Sequence, residues 1–240
     1  MHTDPLPLTP DARRAANRLL EALQRGRDGA AVPEQFVPGS RTADATTALI
    51  EQAKGALMLR YGIDKPQAAR VETTLLRLFD QVADAWQLGL DDRLMLSRAA
   101  RLHELGLTIA HSQYHVHGAY VVEHTDISGF SRQQQQFLAA LVRTHRRKIP
   151  KSAFDALPDR LLPAVRRSAA LLRLAVLMHR AHEVDPIPRL DATAVDDSLV
   201  LVLDRQWLDD RPLLKTDLES EPHDMAALGI HLRIDPGADS

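Results

Sequence analysis

From Asp64 to Glu183 the apolar residues of this chain return every three or four positions, and after Ala192 they return every second one. A period near 3.6 puts side chains on one helix face, and a period of two puts them on one strand face. The chain is therefore expected to be mainly α: a helical bundle followed by a small α+β lobe. Aromatic residues are only 4% of the chain and Leu and Ala dominate, so the core must be aliphatic, which favours helix packed on helix.

Punctuation residues divide the pattern. Breakers at 1–10 and 27–43 read as tail and linker around a helix at Asp11–Arg25, and Asp44–Arg60 reads as a second helix. Asp64 is a good N-cap with Pro66 in the first turn, and Val71, Leu75, Leu78, Phe79, Val82 and Trp86 follow at helical spacing. Further helices are expected from Asp91 to Ala110, from Ala119 to His124, after a Ser131/Gln134 capping box, and from Asp159 to Glu183. The run Leu199–Leu203 predicts a strand, in a hairpin with Ala192–Val195. Thr216 and Glu219 suggest a capping box opening a helix to Leu228, Gly229 stops it, and Ile230–Ile234 alternates as a last strand. These signals divide the chain into 1–48 (tail, short helix and linker), 49–185 (helical domain) and 186–240 (a ββαβ lobe).

The chain contains no cysteine, which excludes disulfides, iron–sulfur clusters, thiolate zinc sites and a Cys nucleophile. No secretory signal opens it and no run of about 18 apolar residues occurs, so a cytoplasmic protein with no membrane partner is expected. Net charge is −2, yet ten Lys and Arg against two acids lie between Arg143 and Arg180, and fourteen acids against five bases lie between Glu183 and Ser240. Two readings stand: an anionic partner held by the basic segment, or a basic helix paired with its own acidic tail.

The stretch LHELGLTIAHSQYHVHGAY concentrates His103, Glu104, His111, His115 and His117, with His124 close behind. Imidazole is the commonest side-chain metal ligand, so a metal site must be weighed. His103-Glu104 followed by Gly106 resembles the HD-x-G pattern of HD-domain metal phosphohydrolases. Together with DKPQAARVETTLLRLFDQV, GFSRQQQQFLAALVRTHRRK and WLDDRPLLKTDLE, this stretch resembles the C-terminal region of the exopolyphosphatase/guanosine pentaphosphate phosphohydrolase (Ppx/GppA) family, over about residues 57–235 and with the blocks in the same order. The resemblance implies an HD-like helical bundle with a small α+β lobe, and in full-length relatives two preceding actin-like lobes that carry the catalytic phosphate loops, metal ligands and base. Residues before 57 show no such content, so the expectation is a module that binds but does not cleave on its own.

Aligned by motif, the four HD ligand positions fall on Gln67, His103, Glu104 and Val176. Two of these cannot hold a hard cation, so no metal and no catalytic residue is expected, and Mg²⁺ enters only with a catalytic partner. For His103-Glu104 the plain alternative is a buried helix pair joined by internal hydrogen bonds. The resemblance assigns polyphosphate or a related phosphorylated anion to Arg146, Arg147 and Lys148, with His145 beside them, then to Arg166 and Arg167, with contact or structural roles for His111, His115 and His117. Arginine forks suit multidentate phosphate contact. It also implies an actin-like phosphatase subunit and a second copy of the chain as partners. The segment 49–62 resembles the opening helix of ANTAR RNA-binding domains, but only for one helix, and RNA is not the expected partner.

Overall fold

The computed structural model describes residues 63–125, 127 and 130–237. The helices read at Asp11–Arg25 and Asp44–Arg60, and the ANTAR-like segment, lie outside them. Helix α1, Lys65–Trp86, starts where the sequence places it: the Asp64 carboxylate accepts from the Gln67 amide at 3.0 Å, and Pro66 occupies the first turn. Its apolar stripe, Val71 through Trp86, is fully buried.

Helix α2, Leu90–Leu102, is shorter than expected. It ends at His103, whose Nδ1 donates to the Ala100 carbonyl at 2.7 Å and so takes an acceptor the helix end leaves open. The chain then makes a tight 3₁₀ turn at Leu105–Thr108. His103-Glu104 therefore occupies a turn, not a helix interior. Helix α3 spans Tyr114–His124, beginning five residues before the expected Ala119, because Gln113 reverses the chain in the left-handed region with φ 54°. Helix α4, Arg132–Thr144, opens on the expected Ser131/Gln134 capping box. Helix α5 runs Leu162–Met178, with Pro163 in its first turn and His179 at its end; the residues expected to lengthen it form a 3₁₀ turn before it and an exposed connection after it.

Strands β1 (Leu190–Val195) and β2 (Ser198–Leu203) form the expected hairpin, turning on Asp196 with φ 50°. Leu199, Leu201 and Leu203 all face the core. Helices α6 (Arg205–Asp209) and α7 (Pro212–Met225) then carry the chain across to β3 (His231–Pro236), which lies parallel to β2 in the order β1-β2-β3. A parallel pair needs such a crossover. The lobe is thus ββααβ. Thr216 caps nothing: it sits one turn inside α7, its hydroxyl donating to the Pro212 carbonyl at 3.0 Å, because Pro212 already starts the helix. Gly229 ends the segment at φ 76°, as expected.

Bundle and lobe share one continuous apolar core. The Gln81 amide seals the edge of β1, donating to the Leu190 carbonyl (3.2 Å) and accepting from the Ala192 amide (2.8 Å). Trp86 Nε1 donates to the Asp196 carbonyl at 2.8 Å, and Arg167 spans from the Trp86 carbonyl to Asp197. Among the described residues no helix is long and apolar enough to cross a membrane.

Candidate anion-binding site

The C-terminal ends of α4 and α5 converge on α7 and on the 104–114 turn, and between them opens a cavity of about 480 Å³. One wall is acidic, with Asp217, Glu221 and Asp224 recurring on one face of α7. The facing wall carries Arg146, Arg147, Arg173 and Arg180. Pairing decides which charges remain. Arg173, buried, forks onto Glu221 at 2.6 and 3.1 Å, reaches Asp224 at 3.2 Å, and donates to the carbonyls of Thr144 and Arg147. Arg180 pairs with Asp217 at 2.6 Å. Arg146 instead lies over the Tyr114 ring, 4.5 Å from its centroid, and neither it nor Arg147 meets a carboxylate among the described residues. The corner where α4 ends is therefore left positive.

The basic helix does pair with the acidic tail at Arg167, Arg173 and Arg180. The other residues picked from sequence separate by position. Arg146, Arg147 and His111 line the cavity; Lys148 is exposed next to it, and Arg166 is exposed on α5 away from its lining. Arg167 turns to Trp86 and Asp197 instead. His145 also lines the cavity but is buried, with Nδ1 donating to the Val142 carbonyl at 2.7 Å and Nε2 without a partner. Burial holds it well below the usual histidine range, so it offers a neutral ring and no charge. His115 and His117 are buried in α3, and burial pushes both down. The sequence analysis singles out neither Tyr114 nor the individual acids of this wall, which it counts only within the acidic tail. The wall was visible as acids at 217, 221 and 224, which fall on one side of a helix.

Residues 51–222 match the family model of the Ppx/GppA phosphatase, domain III. The chain belongs to the Ppx/GppA phosphatase family. As a domain III it is 34% identical over 174 residues to the guanosine-5'-triphosphate,3'-diphosphate pyrophosphatase of Pseudoalteromonas translucida, covering 72% of this chain and 35% of that protein. It is 33% identical over 180 residues to the protein of that name from Vibrio cholerae, and 31% identical over 185 residues to that from Vibrio vulnificus. The chain thus spans about 35% of the length of the curated relatives it matches.

The HD-type positions of this domain III do not fit a hard divalent ion. Gln67 is spent on the His179 carbonyl (2.6 Å) and on Arg70, and Val176 offers only methyl groups. His103 Nε2 and Glu104 lie 3.9 Å apart, and His182 sits 3.7 Å from both Glu104 and Asp64. Burial raises the Glu104 carboxyl above its ordinary value. Among the described residues no group of three or more His, Asp or Glu is placed to hold a metal. The arrangement is a seam that joins the start of α1 to the end of α5 through the hydrogen bonds of Gln67 to the His179 carbonyl and of Thr74 to the His179 ring, and it offers no metal site.

Neutral buried histidines make this domain III sensitive to acid. Burial pushes His103 and His179 down to about 4 and His115 to about 3, against an ordinary value of 6.5 in the unfolded chain. Between those values the unfolded state takes up protons that the folded state refuses, so stability falls as pH falls from 6.5 toward 4. The expected result is a melting temperature that drops steadily over that window, read by circular dichroism. A flat profile from pH 7 to pH 4.5 would show that these imidazoles are already charged in the fold.

Proposed function

We propose that this domain III binds polyphosphate or a related phosphorylated anion at the Arg146–Arg147 corner of the cavity, and that it does not cleave the anion by itself. One observation carries this reading: in a cavity where Arg173 and Arg180 are paired with carboxylates, Arg146 and Arg147 meet no carboxylate among the described residues. Guanidinium groups without carboxylate partners suit the bidentate, charge-assisted contacts a phosphate oxygen takes. The role extends to partners of two kinds: an actin-like phosphatase half that supplies catalysis, with Mg²⁺ when it does so, and a second copy of the chain. A guanosine polyphosphate is the second ligand form, favoured by the names of the relatives.

The test is a titration with long-chain polyphosphate at 50 and 200 mM salt. Binding is expected to weaken steeply at the higher salt, since each phosphate neutralised releases counterions, and Arg146→Ala/Arg147→Ala is expected to weaken it at least about tenfold. An unchanged affinity in the double variant defeats the assignment. In parallel, phosphate release from polyphosphate with Mg²⁺ or Mn²⁺ is expected to stay at background. Turnover abolished by His103→Ala would reinstate an HD-type centre.

A further inference from the structure

The small sheet has two edges, and only one of them is sealed. On β1 the Gln81 amide takes up the Leu190 carbonyl and the Ala192 amide. β3 is the other edge in the order β1-β2-β3, and no described residue plays that part for it. The His231 amide donates to the Asp197 carbonyl and the Gly237 amide to the Leu203 carbonyl, both at 2.8 Å, so the backbone of residues 231, 233, 235 and 237 faces β2. Backbone groups of the residues between them face the other way. The amides and carbonyls of Leu232 and Ile234 therefore point off the sheet, without a hydrogen-bond partner among the described residues. Pro236, which has no N–H, ends the row, and its carbonyl accepts from Arg205 at 3.4 Å. An unpaired edge of this kind templates another strand.

The side chains along the edge decide which strand fits. Leu232 is buried in the core, while the Arg233 and Asp235 side chains stand on the opposite face, 71% and 48% exposed and 3.6 Å apart. A pair so exposed holds little energy and is readily exchanged for another. A second β3 laid antiparallel has few alignments, because outward backbone groups must meet outward backbone groups. With Leu232 opposite the other copy's Ile234, Arg233 stands against Arg233. With Ile234 opposite Pro236, Asp235 stands against Asp235. With Leu232 opposite Leu232, Arg233 meets His231 and no carboxylate. Only with Ile234 opposite Ile234 does Arg233 face Asp235, once on each side of the two-fold axis. Like charges directly opposite are destabilising and opposite charges stabilising, so the charges select this last register. It also lets the two Ile234 residues exchange backbone hydrogen bonds and lets Leu232 donate to the other copy's Pro236 carbonyl. Arg233 and Asp235 then fall at non-hydrogen-bonded positions, where facing side chains come nearer to each other.

We propose that two copies of this chain join edge to edge along β3 in the Ile234–Ile234 register, making one continuous sheet. This gives a surface to the second-copy partner named above and is independent of the anion site. The contact uses the same patch on both copies, so it closes as a dimer and does not propagate. One strand edge is a small contact, and the dimer is weak and reversible.

The experiment is sedimentation velocity on the full chain over about 1 µM to 1 mM, the range in which so small an interface dissociates. The wild type is expected to pass from monomer to dimer across that range, and less readily at high salt. Arg233→Asp sets two acids against two acids, and Asp235→Arg sets two bases against two bases. Each alone is expected to raise the dissociation constant at least about tenfold. Mixed in equal amounts, the two variants face each other with opposite charges at both positions and should associate like the wild type, as should the double variant Arg233→Asp/Asp235→Arg. A merely structural role for these exposed residues would not be rescued by mixing, and thermal melts check that each variant is folded. If the wild type is still monomeric at about 1 mM, the β3 edge and the second-copy reading both fall. If the wild type and both single variants associate equally, the copies meet elsewhere and the β3 assignment alone is wrong. Weakening in the single variants without recovery in the mixture overturns the register.

Discussion

Gly106→Ala is expected to cost this domain at least about 3 kcal/mol, enough to leave a marginal fold largely unfolded at physiological temperature. A Cβ at position 106 would stand 1.9 Å from the Tyr114 carbonyl oxygen, 2.6 Å from the Gly118 nitrogen and 2.8 Å from the Tyr114 carbonyl carbon. All three atoms are backbone, so no rotamer change relieves the clash, and α3 itself would have to move. Its retreat would carry Tyr114 away from Arg146 and open the cavity corner. Gly118 on α3 makes the reciprocal approach, but there a Cβ meets Val142 Cγ1 at 3.1 Å, the Gly106 nitrogen at 3.2 Å and the Gly106 Cα at 3.7 Å, none of them under 3.0 Å. Gly118→Ala is therefore expected to be clearly milder. Urea denaturation of the two variants settles the order. A Gly106→Ala midpoint equal to that of the wild type would mean that the 106–114 turn is looser than the close contact implies.

The same contact explains where the sequence was hard to read. Periodicity carried from Met95 through Leu105, and a continuous helix to Ala110 satisfied it. Nothing local announced that α2 stops at Leu102, because the stop follows from the need to bring Gly106 against α3, a contact between segments. Where the deciding signal was local, the reading succeeded. Asp64 with Pro66, Ser131 with Gln134, the Asp196-Asp197 turn and Gly229 each fix a chain direction within four residues. Thr216 with Glu219 had the same local form and failed, since Pro212 could start α7 a turn earlier and the capping-box residues became interior ones.

The candidate site divides along the same line. Arg146 and Arg147 could be picked out because they stand in a basic run at a helix end. Their separation from Arg167, Arg173 and Arg180 could not be, since it depends on which arginines reach Asp197, Asp217, Glu221 and Asp224 across sequence distances of 30 residues or more. Charge counts give the supply of cations; only the packing of α5 against α7 and the hairpin shows which of them are already neutralised. The loop histidines misled for a related reason. Their number suggested ligands, but burial holds His103, His115, His117 and His145 below the usual histidine range, against the opposite pull of the helix-end carbonyls that His103 and His145 donate to.

Arg173→Met is the other change expected to have a large effect, about 3–5 kcal/mol at pH 7. Arg173 and Glu221 are both buried, and the guanidinium also donates to the Thr144 and Arg147 carbonyls, so its removal leaves a buried carboxylate and two carbonyls without their donor. The second of those carbonyls belongs to a residue held at φ 61°, in the left-handed region. Without Arg173 the end of α4 is freed from α7, and the Arg146–Arg147 corner loses its support. The pH dependence identifies the cause. Burial already holds the Glu221 carboxyl above its ordinary value in spite of the pull of Arg173, and without that pull it rises further. A group raised in the fold binds protons that the unfolded chain releases, so its penalty grows with pH and shrinks as pH falls. The stability deficit of Arg173→Met relative to wild type should therefore be smaller at pH 5 than at pH 7. Arg173→Met/Glu221→Gln, which removes the stranded charge, should recover part of the loss at pH 7. Equal deficits at both pH values, with no recovery in the double variant, would place the effect in lost packing around the arginine stem and not in the charge it leaves behind.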